Sequence, residues 1–96
     1  MVYTVLVAHF YANEGADIEQ ELRTKLPEFA RTYQETEKGT LTWIPLQDAK
    51  DPRAWTIFER YESETSFGAH DGKAIQAFLI PKIDMTKLDM RFYNEL

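Results

Sequence analysis

The sequence predicts an α+β fold with the element order β-α-β-β-α-β. Three observations carry that prediction. Runs of period two, which send successive side chains to opposite faces, alternate with runs at steps of three and four, which mark one face of a helix. The 96 residues allow one small domain with one core. The strand segments are apolar on both faces, so both faces of their sheet call for cover.

The first strand is expected over Val2–Tyr11, a run rich in β-branched and aromatic residues. Val5, Val7, His9 and Tyr11 fall on one face and Leu6, Ala8 and Phe10 on the other. Asn13 to Gly15 makes a turn. A helix follows, with Ile18, Leu22, Leu26, Phe29 and Tyr33 on its core stripe. Pro27 interrupts that stripe and predicts a kink, or a break from which Pro27 starts a second helix. Gly39 is the expected stop. Leu41–Leu46 reads as the second strand, where Pro45 suggests an edge or a bulge. Gln47–Arg53 is the connection, with Asp51-Pro52 as its turn signal.

The most informative stretch is Trp55 to Phe78, WTIFERYESETSFGAHDGKAIQAF. It opens as a third strand, in which Trp55, Ile57, Glu59 and Tyr61 share one face. It then changes period. Ser63 is a good helix cap, and Phe67, His70, Ala74 and Phe78 follow at helical spacing on one face. Asp71-Gly72 is expected to split this second helix, with Asp71 capping the second piece, and Pro81 to end it. Met85–Tyr93 is the last strand. The resulting order is the split βαβ, or ferredoxin-like, pattern: a four-stranded antiparallel sheet with helices on one face. For so short a chain the simplest cover for the other face is a second copy, so a homodimer is expected.

Composition removes several functions. Sixteen acidic residues against eleven basic ones give a net charge of −5, which disfavours nucleic acid and anionic membrane surfaces as partners. Without cysteine there is no disulfide, thiolate metal site or cysteine nucleophile. The two histidines, His9 and His70, are too far apart for a metal-binding motif. No glycine-rich phosphate loop and no GxSxG motif is present, so neither a metal nor a nucleotide cofactor is expected. The amino terminus, MVYTVLVAHFY, lacks a basic leader, and its apolar run is too short for a membrane span. A cytoplasmic location is expected.

The candidate site residues follow from their settings. A histidine in an apolar stripe, His70, can take or give a proton near neutral pH or hydrogen-bond a phenolic oxygen. It can equally be a core histidine satisfied by a carbonyl or by Glu59. Glu59, on a core-facing strand position, needs a partner; it is free to orient His70 or to form an internal ion pair with Arg91. His9 either lines the same cavity or sits at the sheet rim. Trp43, Trp55 and Tyr61 are candidates for an aromatic wall or for plain core.

The sequence also resembles a family. ERYES, then Phe67, Ala69-His70 and a late Phe78, resembles the signature of the antibiotic biosynthesis monooxygenase (ABM) domain. VYTVLVAHFYANEG resembles that family's first strand and helix-opening glycine, EKGTLTW its glycine turn and second strand, and DPRAWTIFERY its third strand. These pieces occur in the family's order over nearly the whole chain. The resemblance implies a dimeric α+β barrel and cofactor-independent oxygenation of a small phenolic, anthrone or quinol-type aromatic substrate. It implies His70 as base or hydrogen-bond donor with Glu59 orienting it, and Trp43, Tyr61, Phe67 and Phe78, with His9, around the substrate. Two alternatives stand beside it: a non-catalytic ligand-binding or stability module on the same fold, and a haem-degrading barrel protein in which His9 or His70 would hold iron.

Overall fold

A computed structural model describes residues 4–96. The chain runs β1 (Thr4–Tyr11), α1 (Ala16–Thr36), β2 (Thr40–Gln47), β3 (Ala54–Tyr61), α2 (Glu64–Ala69), α3 (Lys73–Leu79) and β4 (Asp89–Asn94). Two short 3-10 turns, Ile80–Lys82 and Met85–Lys87, join α3 to β4. The sheet order is β2-β3-β1-β4 with every neighbouring pair antiparallel. This is the expected ferredoxin-like fold, with the helices on one face. Val2 and Tyr3, assigned to the first strand from sequence, lie outside the described residues.

The alternation of β3 decides which side chains meet the helices. Trp55, Ile57, Glu59 and Tyr61 are all buried, and Thr56, Phe58 and Arg60 between them are not. Register carries the same face across the sheet: Glu59 lies opposite Leu6 on β1 and Trp43 on β2, and Ile57 lies opposite Ala8. Leu22, Leu26, Ala30 and Tyr33 of α1, with Ile75 of α3, close over this face to form the core. The four α1 residues repeat at steps of four, four and three, the spacing of one helical face.

Several local expectations need correction. Pro27 neither ends nor restarts α1, which runs unbroken for 21 residues. Pro27 is solvent-exposed, so the missing backbone bond and the ring fall on the face away from the sheet. β2 is an edge strand, as Pro45 suggested, but its bulge falls between Thr40 and Thr42. The last strand starts at Asp89, because Asp84 caps a 3-10 turn through Met85 by accepting from the Thr86 amide. Gly39 stands three residues past α1, whose C-cap is Glu37. What Gly39 provides is close approach: a Cβ there would lie 2.3 Å from the Ser66 Cβ of α2.

The opposite sheet face carries Val5, Val7, Ile44, Leu46, Phe58 and Tyr93. Ile44, Leu46 and Tyr93 are among the exposed large hydrophobic residues. The same face holds Arg60, whose guanidinium donates two hydrogen bonds to the Glu95 carboxylate.

Candidate active site

The break in the second helix builds the site. Ser63 caps α2 by accepting from the Ser66 amide, as expected. The helix stops at Ala69. His70, its C-cap, is extended with ψ 128°, and α3 begins at Lys73 with Gly72 as N-cap. Asp71 sits one residue before that cap and accepts from the Lys73 amide. His70 is therefore not part of a helical stripe with Phe67, Ala74 and Phe78, as the spacing suggested. Ala74 is exposed and Ile75 takes the buried position. Leaving the helix turns the imidazole inward, where its side chain is only 8% exposed.

Four side chains surround that ring. Its Nδ1 lies 2.8 Å from Glu37 Oε1, and its Nε2 lies 4.0 Å from Glu59 Oε1. Tyr33 presents itself edge-on with ring centroids 4.4 Å apart, and Tyr61 lies at 5.5 Å. Tyr61 is fully buried and donates its hydroxyl hydrogen bond to Glu59. The Trp43 indole N–H is buried beside the same carboxylate, near enough to favour its charge but without a full hydrogen bond. Glu59 does not reach Arg91, which belongs to the opposite sheet face and pairs with Asp89 at 3.2 Å.

Electrostatics separates the two glutamates. Burial pushes the Glu59 carboxyl above the usual carboxylate range, more than the Tyr61 hydrogen bond and the nearby His70 pull it down. Burial acts on Glu37 too. There, hydrogen bonds from His70, the Asp71 amide and the Thr40 hydroxyl outweigh it and hold the carboxyl below its usual range. The Tyr33 phenol is pushed up to about 12, first by burial and then by the charges of Asp71, Glu37 and Glu59. Tyr61 is raised further by burial and by Glu59, so both phenols stay protonated at neutral pH.

His70 and Glu59 line one end of a cavity of about 520 Å³ between the sheet and the α2–α3 segment. That volume is in the range of small-molecule sites. The rest of the wall is mainly apolar: Leu6, Ala8, Phe10, Trp43, Ile57, Phe67, Ile75 and Leu79. Phe67 makes edge contacts with Tyr61 and with Phe92, each at 5.2 Å. At the mouth stand Ile80, Met85 and Met90, each about half exposed.

The structure thus brings together five of the residues singled out from sequence. His70, Glu59, Trp43 and Phe67 line the cavity, and Tyr61 supports Glu59 from behind. Three do not join them. Trp55, a candidate for the aromatic wall, is buried in the core and stacked on Phe10 with ring centroids 6.4 Å apart. His9 is on the opposite sheet face, where its Nδ1 lies 2.8 Å from Thr56 Oγ1 and it borders a separate depression with Tyr11 and Leu46. Phe78 packs on Phe29 of α1 at 5.6 Å, under the Lys82 ammonium, and does not line the cavity. Glu37 was missed. It reads as one acid among several at a helix end, and its contact with His70 spans 33 positions of chain. Among the described residues no group of three or more His, Cys, Asp or Glu side chains is placed to hold a metal ion.

Fold and site together define a small ferredoxin-like protein with a mainly apolar cavity lined by a histidine that is flanked by two carboxyl groups. The sequence profile of the antibiotic biosynthesis monooxygenase family matches residues 4–77, and the chain belongs to that family. Solved structures with the same fold include a Bacteroides thetaiotaomicron protein that carries the same family name, at 18% identity and a TM-score of 0.83, covering 98% of this chain and 90% of that one. A Pseudomonas aeruginosa protein, PA3566, matches at 16% identity and a TM-score of 0.81 over 100% of this chain and 96% of its own. A Nitrosomonas europaea protein of the same family name matches at 15% identity and 0.79, covering 98% and 90%. No curated protein matches the chain significantly.

Proposed function

We propose that the protein is a cofactor-independent monooxygenase for a small phenolic, anthrone or quinol-type aromatic substrate, working in the cytoplasm as a homodimer. The observation that carries this reading is that His70 and Glu59 line a mainly apolar cavity large enough for a flat aromatic molecule. Family membership supplies the reaction class.

In this reading His70 removes the acidic proton of the substrate, and the electron-rich anion that results reduces dioxygen. For an anthrone, a ring methylene becomes a carbonyl: one oxygen atom enters the ring and the other leaves as water. The substrate supplies the electrons. The protein contributes the base, a hydrogen-bonding end that steadies the developing anion, and a water-poor cavity. The exposed apolar sheet face supports the dimer, since soluble proteins seldom leave such a patch bare.

Oxygen uptake with a panel of anthrones and quinols tests the proposal. Uptake coupled to substrate loss is the expected result, and tight binding without uptake would leave a ligand-binding module instead. His70→Ala and His70→Gln should each lower turnover by about a hundredfold or more while the protein stays folded, the range ascribed to general acid–base groups. Activity kept in Gln and lost in Ala would assign His70 to positioning. Full activity in both would remove it from the mechanism.

A further inference from the structure

The carboxylate of Glu37 stands at an unfavourable end of its helix. As the C-cap of α1 it faces the negative pole of 21 aligned peptide units. Nothing basic occupies the last turn to offset it. What holds it there is a set of donors: Oε1 accepts from the Thr40 hydroxyl at 2.8 Å and faces His70 Nδ1 at 2.8 Å, and Oε2 accepts from the Asp71 amide at 3.1 Å. An ionised carboxylate can only accept. The short contact to His70 is therefore a hydrogen bond only if Nδ1 carries a proton.

We infer that Glu37 is a positioning residue that locks His70 in the Nδ1–H tautomer, leaving the Nε2 lone pair turned toward Glu59 and the cavity. Its use in catalysis rests on the reading of His70 as a base; the lock itself does not. The low pKa of Glu37 agrees with an acceptor-only carboxylate. The other groups that face the ring are Tyr33 from α1, Tyr61 and Glu59 from β3, and neighbouring Asp71. Of these, only Glu59 is placed to compete, by accepting a hydrogen bond from an Nε2–H. Its 4.0 Å separation is too long for a hydrogen bond, whereas the Glu37 contact is not.

The isosteric change Glu37→Gln makes the lock testable. A glutamine has one acceptor oxygen and one donor nitrogen. Its nitrogen must face either the Asp71 amide or His70. The backbone amide is a donor that cannot change. The imidazole can change, by moving its proton to Nε2, and the Thr40 hydroxyl can rotate to accept. Glu37→Gln is therefore expected to switch His70 to the Nε2–H tautomer, with a donor where the acceptor stood.

Nitrogen-15 spectra of the imidazole side chains of the full chain at neutral pH read this directly. Only two histidines are present, and His9→Gln assigns the other. The expected native signal is a protonated Nδ1 with an unprotonated Nε2, and the expected Glu37→Gln signal is the reverse. Thr40→Val, which removes one donor to Glu37 and leaves the carboxylate, should keep the native pattern. A native Nε2–H or doubly protonated ring would overturn the inference, and that spectrum suffices even if the variant does not fold. An unchanged tautomer in folded Glu37→Gln would overturn it equally. If native enzyme turns over, Glu37→Gln should lose about a hundredfold in kcat with KM little altered. If no substrate is oxidised, the monooxygenase reading fails and the tautomer result stands.

Discussion

Glu37 and Glu59 flank one imidazole with the same functional group, yet they respond to pH in opposite senses. Glu59 binds its proton more tightly in the folded protein than in the unfolded chain, because burial opposes its charge. Its stabilising effect is fully present at low pH and is lost as pH rises from the ordinary carboxylate value of about 4.3 through the raised one. Glu37 is held low, so its contribution is present above the ordinary value and is lost as pH falls through the depressed one. Melting temperature followed against pH separates them. Glu59→Gln should gain on the native protein as pH climbs toward neutrality and match it in acid. Glu37→Gln should lose at neutral pH, by about 1.5–3 kcal/mol for hydrogen bonds to a charged acceptor, with the gap closing in acid. Two variants that follow the same pH trend would contradict this division.

At the scale of elements, the site depends on where a helix ends. Had α2 continued into α3, His70 would point along a helix face instead of toward Glu37 and Glu59. α2 is in turn seated against the start of β2 through Gly39 and Ser66. Gly39→Ala would force a Cβ against the Ser66 Cβ, which no side-chain rotation relieves. We expect a loss of about 1–3 kcal/mol, the usual cost of overpacking. Adding Ser66→Gly should recover part of the lost melting temperature despite the lower helix propensity of glycine. A double variant no more stable than Gly39→Ala alone would show that the contact is not the cause. Much of this element structure was legible in advance. The alternation of Trp55 to Tyr61 gave the buried face of β3 and with it Glu59. Ser63 gave the start of α2, and Asp71-Gly72 gave the existence of a break but not that His70 already lies outside the helix. His9 was harder, because β1 is apolar on both faces and only its register against β3 shows which face meets the helices. Glu37 was not legible, since its partner is set by tertiary packing alone and no local pattern marks an acid at a helix end.

At the scale of the whole molecule, the chain has two differently finished sheet faces. One is closed by helices around the cavity, and the other displays Ile44, Leu46 and Tyr93 to solvent. If a second copy covers that face, sedimentation at micromolar concentration should give a dimer, with an interface above the roughly 1,000 Å² expected of a specific one. Ile44→Glu with Leu46→Glu should shift it to monomer, since carboxylates cannot be buried there unpaired. A native monomer would remove the barrel from the account.

If the proposed oxygenation takes place, the mouth of the cavity would keep a record of it. Met85 and Met90 stand there, 51% and 50% exposed, and both residues border the cavity in which, on the proposed function, dioxygen would be reduced. Thioether sulfur is readily oxidised to the sulfoxide. A peroxide that escapes before it collapses to product meets these two sulfurs on its way out. Protein recovered after many turnovers should carry added oxygen at Met85 and Met90, seen by peptide mass spectrometry. Protein incubated with oxygen but no substrate should not. Sulfoxide would also turn two apolar rim residues polar, so on that reading the protein's working life should be counted in turnovers, not in hours. Replacing both with leucine should lengthen it, and equal lifetimes with and without methionine would show that little peroxide escapes.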